Sequence, residues 1–225
     1  DEYQDEYVPD YAKRIEWLTG FTGSAALAAR RTVELARLAE ELGFVRYWFA
    51  EHHSMPSVAS SAPEILIGHV AAATRRIRVG SGGMMLPNHA PLRLAEAFHT
   101  LAALHPDRID LGIGRAPGSE PAASRALRAF GSEQFSPLMS ELLFLSHRRF
   151  SPGHLLHKVR VMPDDVPLPP VWILGSSGAS ATAAGQSGFG YGFATHFSPQ
   201  PAAPAMQAYR EALCPSEQFR APHAI

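Results

Sequence analysis

Cysteine occurs once in the 225 residues, at Cys214. A disulfide within the chain is therefore impossible, and a zinc site using two cysteines is excluded. No uninterrupted apolar run approaches the ~20 residues that a helix needs to cross a bilayer. Charge is also scarce: 18% of residues are charged, and the net charge is −1. Neither a basic nucleic-acid footprint nor a polybasic membrane patch is present. Arg30, Arg31, Arg37, Arg75, Arg76 and Arg78 lie on or beside helical stretches with interspersed acids, so they read as solvated faces. Residues 1–23 are acidic and lack the basic start and apolar middle of a signal peptide, which points to a cytoplasmic protein.

Apolar material, by contrast, makes up 46% of the chain. That is enough for a large core, and the length suits one domain over 1–225. Residues 1–23 stand apart, with a helix expected at 10–18 and no convincing strand. Residues 131–170 carry several prolines and histidines in mixed periodicity and read as an irregular excursion. Elsewhere the periodicity is clear. Helices are expected at 24–42, 62–74, 91–104, 120–130, 180–186 and 204–213, with Gly43 as a C-cap and Pro63 in a first turn. Strands are expected at 44–50, 77–81, 108–113, 171–174 and 191–194. Alternating strands and helices with short connections call for a parallel sheet with helices outside it. Several strands end in polar or glycine-rich residues. A closed barrel gathers all such ends around one mouth, whereas an open sheet gathers only those beside its switch point. The barrel is the expected architecture.

Four strand ends and one turn carry chemistry-bearing residues. At Glu51-His52-His53, side chains alternate in extended chain, so Glu51 and His53 share one side and His52 takes the other. Adjacent histidines fit proton transfer better than metal ligation, which favours two histidines on one side. Ser81, Gly82 and Gly83 end another strand in residues that admit unusual backbone geometry or the close approach of a flat ring. Gly114 and Arg115 place a guanidinium where it can meet a phosphate or a carbonyl, unless Asp110 or Glu120 pairs with it. Gly175, Ser176, Ser177 and Gly178 form a strand-to-helix turn. Such a turn is either a phosphate cradle or an ordinary serine cap. His196 closes the last strand. His69, His99 and His105 fall in or at the ends of helices and read as structural or exposed.

Taken in order, the stretches at 47–56, 59–64, 76–91, 107–118 and 171–178 resemble the bacterial-luciferase-like flavin-dependent monooxygenases. The resemblance covers about 24–130 and 171–213. It implies a (β/α)8 TIM barrel, incomplete at both ends, because the family's first strand is not visible in 1–23 and the chain stops where a last strand would start. It further implies that Gly82-Gly83, next to Ser81, matches a non-prolyl cis peptide beneath the flavin ring. Gly114, Arg115, Gly175, Ser176, Ser177, Gly178 and His196 would contact the cofactor. His52 would match the proton-transfer residue, with Glu51 and His53 as its neighbours. The implied cofactor is reduced FMN supplied by a separate flavin reductase, the co-substrate is O2, and the substrate is a small aldehyde or other carbonyl compound. A homodimer is implied too. A deazaflavin (F420)-dependent oxidoreductase and a non-catalytic flavin binder are the alternatives on the same fold. A metal-dependent barrel hydrolase lacks its ligands here.

Overall fold

Ser24 opens the first helix by accepting a hydrogen bond from the Leu27 N–H, and Gly43 follows its end with a positive φ of 82°. A side chain disfavours that left-handed conformation, so glycine suits the stop. The computed structural model describes residues 24–56, 58–116, 119–195, 198 and 200–225. Its elements are α1 (Ala25–Glu41), β1 (Arg46–Phe49), α2 (Pro63–Ala73), β2 (Arg78–Ser81), β3 (Met84–Met85), α3 (Pro91–Leu104), β4 (Ile109–Gly114), α4 (Pro121–Ala126), α5 (Phe135–Ser146), β5 (Val171–Gly175), α6 (Gly178–Gln186), β6 (Gly190–Phe193) and α7 (Ala202–Ala212). Proline opens α2, α3 and α4 at a position whose N–H would have had no helical partner.

All strand pairs are parallel, in the order β1-β2-β4-β5-β6, with β3 alongside β4 beyond β2. Each strand is thus one step sideways from its predecessor, as in a (β/α) barrel wall, and among the described residues the sheet does not close. Beyond β6 the chain starts another parallel run. The Tyr191 N–H donates to the His223 carbonyl, the Ile225 N–H to Tyr191, and the Phe193 N–H to Ile225. A further strand was expected to start here.

The sheet's two faces divide by the period of two. Tyr47, Phe49, Val79, Ile109, Leu111, Ile113, Val171 and Ile173 face the helices and join a core with Ile67, Val70, Phe98 and Leu142. A smaller cluster joins α6, α7 and β6 through Ala181, Ala184, Tyr191 and Tyr209. Two polar clamps tie helices to strand ends. The Glu40 carboxylate accepts the N–H groups of Arg75, Arg76 and Ile77. The Arg108 guanidinium donates to the carbonyls of Ala71, Thr74 and Ile77, so it satisfies orphan acceptors at the end of α2.

Three expectations need correction. Residues 131–170 contain the regular helix α5, which buries Leu138, Met139, Leu142 and Leu145 in the main core. Pro137 lies in its first turn, where proline costs no hydrogen bond, and the prolines that follow the helix obscured its period. The helix expected at 120–130 is only Pro121–Ala126. Arg78 is not on a solvated face: β2 turns it to the sheet's inner side, where it pairs with buried Asp110. The helix expected at 10–18 lies outside the described residues.

Candidate functional site

Just past β1, Glu51 turns inward and is fully buried. Its Oε1 accepts from His53 Nε2 at 2.8 Å and from Asn88 Nδ2 at 2.9 Å. Its Oε2 accepts from His89 Nε2 and from the Met85 N–H, both at 2.8 Å. Burial pushes the Glu51 carboxyl upward, but the His89, Asn88 and Met85 donors outweigh it and hold the carboxyl down at about 2. Glu51 and His53 share one side, as the alternation required. His52 between them is half-buried, and its backbone N–H donates to the Ser60 carbonyl. The Ser60 hydroxyl in turn donates to the Ala50 carbonyl, which closes the loop on itself.

One strand over, β2 and β3 are separated by Gly82-Gly83, whose peptide bond is cis. A Cβ on Gly83 would stand 2.8 Å from the Gly112 carbonyl oxygen and 2.6 Å from Leu174 Cδ1, so only glycine fits between β4 and β5 at this point. Ser81 is buried and donates its hydroxyl to the Gly112 carbonyl. Trp48 and Leu174 pack on this inner side. Deeper in, Trp48 Nε1, Arg46 and Arg78 all converge on Asp110.

Arg115 is exposed beyond Gly114 at the end of β4 and makes no ion pair among the described residues. Asp110 is taken by Arg46 and Arg78, so it does not hold Arg115. Continued past its last pair, Ile113 opposite Ile173, the β4–β5 register would bring Arg115 level with Gly175 at the end of the neighbouring strand. Beyond Gly175, Ser177 is the N-cap of α6 and accepts from the Ser180 N–H. The Ser180 and Tyr191 hydroxyls both donate to the Ser177 carbonyl, and the Ser176 carbonyl accepts from Ser198. The serine hydroxyls therefore build the turn, which is the plainer of the two roles expected for Ser177. An added Cβ on Gly178, the first residue of α6, would meet nothing within 4 Å among the described residues. His196 lies outside the described residues.

These groups sit at the carboxyl ends of adjacent strands. Glu51, His52 and His53 stand at the β1 end, Gly82 and Gly83 follow on the next strand, and Arg115 and Gly178 stand at the β4 and β5 ends. With strands ~4.8 Å apart, the two extremes are about 14 Å apart across three places in the order. The chemistry of the far end, a guanidinium with no ion pair among the described residues and a helix N-terminus on the adjacent strand, suits a phosphate. Its distance from the imidazoles suits an elongated mononucleotide. Sequence reasoning gave no role to Asn88 and His89, which lie in the turn after β3. The available signal was a polar pair between two prolines, Pro87 and Pro91, following the double glycine.

The family model for luciferase-like monooxygenases matches residues 16–220. The luciferase-like monooxygenase of Escherichia coli strain K12 is 45% identical over 205 residues, covering 90% of this chain and 60% of that protein. The N-acetyl-S-alkylcysteine monooxygenase of Bacillus subtilis strain 168 is 41% identical over 180 residues, covering 79% of this chain and 54% of that protein. Among solved structures, apo-MsnO8 superposes with a TM-score of 0.80 at 41% identity, covering 91% of this chain and 60% of its own. The oxygenating constituent of 3,6-diketocamphane monooxygenase from Pseudomonas putida, in complex with FMN, shares the fold at a TM-score of 0.65 and 22% identity, over 85% of this chain and 57% of its own. The chain spans about 60% of the length of the first curated relatives it matches. On the extent of the family match and these identities, the chain belongs to the luciferase-like monooxygenase family.

Proposed function

We propose that this chain binds FMN at the carboxyl ends of its strands and serves a monooxygenase that oxygenates a small aldehyde or other carbonyl compound with O2. The observation that carries this reading is the presence, on one rim, of an exposed Arg115 with no ion pair among the described residues and a helix N-terminus on the next strand, with a carboxylate–imidazole cluster about three strands away. Arg115 and the backbone N–H groups at Gly178 would hold the phosphate, with Gly114, Gly175, Ser176 and Ser177 shaping the turn. Ser81, Gly82 and Gly83 would lie beneath the ring. When bound in its reduced form, delivered by a separate reductase, FMN supplies the electrons that activate oxygen. The protein's part is to orient the ring, exclude water and hold or move protons at His52 and His53, with buried Glu51 fixing His53.

The test is a titration with FMN, first oxidised and then photoreduced without air. Binding of the reduced form, weakened roughly 10–100-fold in Arg115→Ala by the loss of a charge-assisted contact worth about 1.5–3 kcal/mol, is the expected result. An unchanged affinity in the variant removes Arg115 from the phosphate site. Binding of F420 in preference to FMN in the same titration selects the deazaflavin-dependent reading.

A further inference from the structure

The chain beyond β1 is held twice, and the second hold comes from a residue outside the carboxylate cluster. Phe49 gives its carbonyl to the Gly82 N–H on the side of β2. By alternation, the Ala50 carbonyl and the His52 N–H face the other side of β1, where no strand lies among the described residues. Backbone groups there need partners, and one residue supplies both. The Ser60 carbonyl accepts the His52 N–H at 3.0 Å, and the Ser60 hydroxyl donates to the Ala50 carbonyl at 2.6 Å. In a parallel ladder, the N–H and C=O of one residue bond to residues two apart on the neighbouring strand. Ser60 makes such a rung around Glu51, with its hydroxyl standing in for its N–H. It lies three residues before Pro63, the buried first residue of α2, so a packed helix fixes where it stands.

Resting on the flavin-monooxygenase reading, we propose that Ser60 is a positioning residue for His52. Four donors hold the Glu51 carboxylate on the inner side. That attachment alone leaves the flanking peptides able to pivot about the strand axis. The Ser60 clasp bonds those peptides from a second direction and removes the pivot. The His52 imidazole, which alternation turns away from Glu51, then keeps one direction on the rim. The clasp also closes the base of the turn that follows, where Ser54 has left-handed backbone with φ 55° and the Val58 N–H donates to the Met55 carbonyl. Side chains disfavour that conformation, so the turn persists because both of its ends are tied.

The experiment compares the native chain with Ser60→Ala, Ser60→Thr and, as a control on the exposed neighbour, Ser61→Ala. Without flavin, two rates are read at His52: exchange of its amide hydrogen, and modification of its ring by diethyl pyrocarbonate, located by mass spectrometry. Both should rise roughly 3–10-fold in Ser60→Ala, the factor that one hydrogen bond supplies. Ser60→Thr, which keeps the hydroxyl, should restore the native rates, and Ser61→Ala should not change them. Exchange at the Val79 amide, bonded to the Arg108 carbonyl within the sheet, reports whether each variant is folded. If Ser60→Ala loses that protection, Ser60→Val, matched in shape to Ser60→Thr, makes the same comparison. Native-rate ring modification of His52 in Ser60→Ala overturns the proposal, as does a Ser60→Thr that behaves like Ser60→Ala. With photoreduced FMN added, Ser60→Ala should bind within about twofold of the native chain. A loss as large as that of Arg115→Ala overturns the proposal too, because the loop would then hold the cofactor and not the imidazole. The His52 rates need no cofactor, so they stand or fall separately from the binding of FMN to the native chain.

Discussion

The two faces of the sheet are made from the same strands and solve opposite problems. In β4, Ile109, Leu111 and Ile113 enter the helix-covered core, while Asp110, Gly112 and Gly114 face inward. The outer face needs only apolar volume in the right shape. The inner face must seat Trp48 against Gly80 and Trp172 against Gly190, and there an added Cβ would come within 3.0 Å and 2.4 Å of the indole rings. It must also neutralise Asp110 with two guanidiniums. Histidines show the same contrast. His99 is buried on the helix side, its Nδ1 donates to the Pro163 carbonyl, and its Nε2 has no hydrogen-bond partner among the described residues; burial lowers its pKa. His53 and His89, at the rim, are held by an anion instead. Packing decides the residue on one face, and pairing decides it on the other.

The contrast can be broken by substitution. The largest loss is expected from the outer face: Leu111→Ala should cost about 2–5 kcal/mol in chemical denaturation, the lost transfer energy plus a cavity. A loss below about 1 kcal/mol would show that this layer collapses around the gap. On the inner face, Asp110→Asn should cost about 2–4 kcal/mol, because it leaves Arg46 and Arg78 facing each other without an anion. A negligible change would mean that water already compensates them. Arg115→Ala, which touches neither core, should alter stability by less than about 0.5 kcal/mol while it weakens flavin binding.

Acid should sharpen the comparison in two stages. The folded state resists protonating His99, so stability is fully present above pH 6.5 and declines below it as the unfolded chain takes up that proton first. The folded state also keeps Glu51 ionised. Its contribution is therefore present above about 4.5 and is lost as pH falls towards about 2. His99→Gln should make the first stage shallower, since burial also lowers the pKa of His105, His147 and His223 and they contribute in the same direction, and should leave the second unchanged. A melting curve that is level from pH 7 to 5 would show that His99 is not sealed from water.

Much of the framework was legible from the sequence, because it depends on local periodicity and punctuation. Helix α3 begins at Pro91 and ends at Leu104 as read, and Gly43 stops α1 for a reason visible in one residue. Helix α5 was lost because the prolines and histidines of 131–170 were read together as irregular, although Pro137 stands in the helix's first turn and the other prolines follow it. Ser177 could have been cap or ligand contact; only the Ser180 N–H pointing at it separates the two. Arg78 was misread because its neighbours Arg75 and Arg76 precede β2, whereas Arg78 itself obeys the strand's alternation.

The sequence alone determined the alternation of strands and helices outside 131–170, apart from the short β3, and that Glu51 and His53 share a side. These follow from periods of two and 3.6, which act over a few residues. Only the tertiary structure placed His89 on the carboxylate of Glu51 and Arg46 and Arg78 on Asp110. Those meetings depend on which strands are neighbours and in what register they pair. Spacing along the chain does not encode that, because the partners are brought together by the packing of the whole sheet.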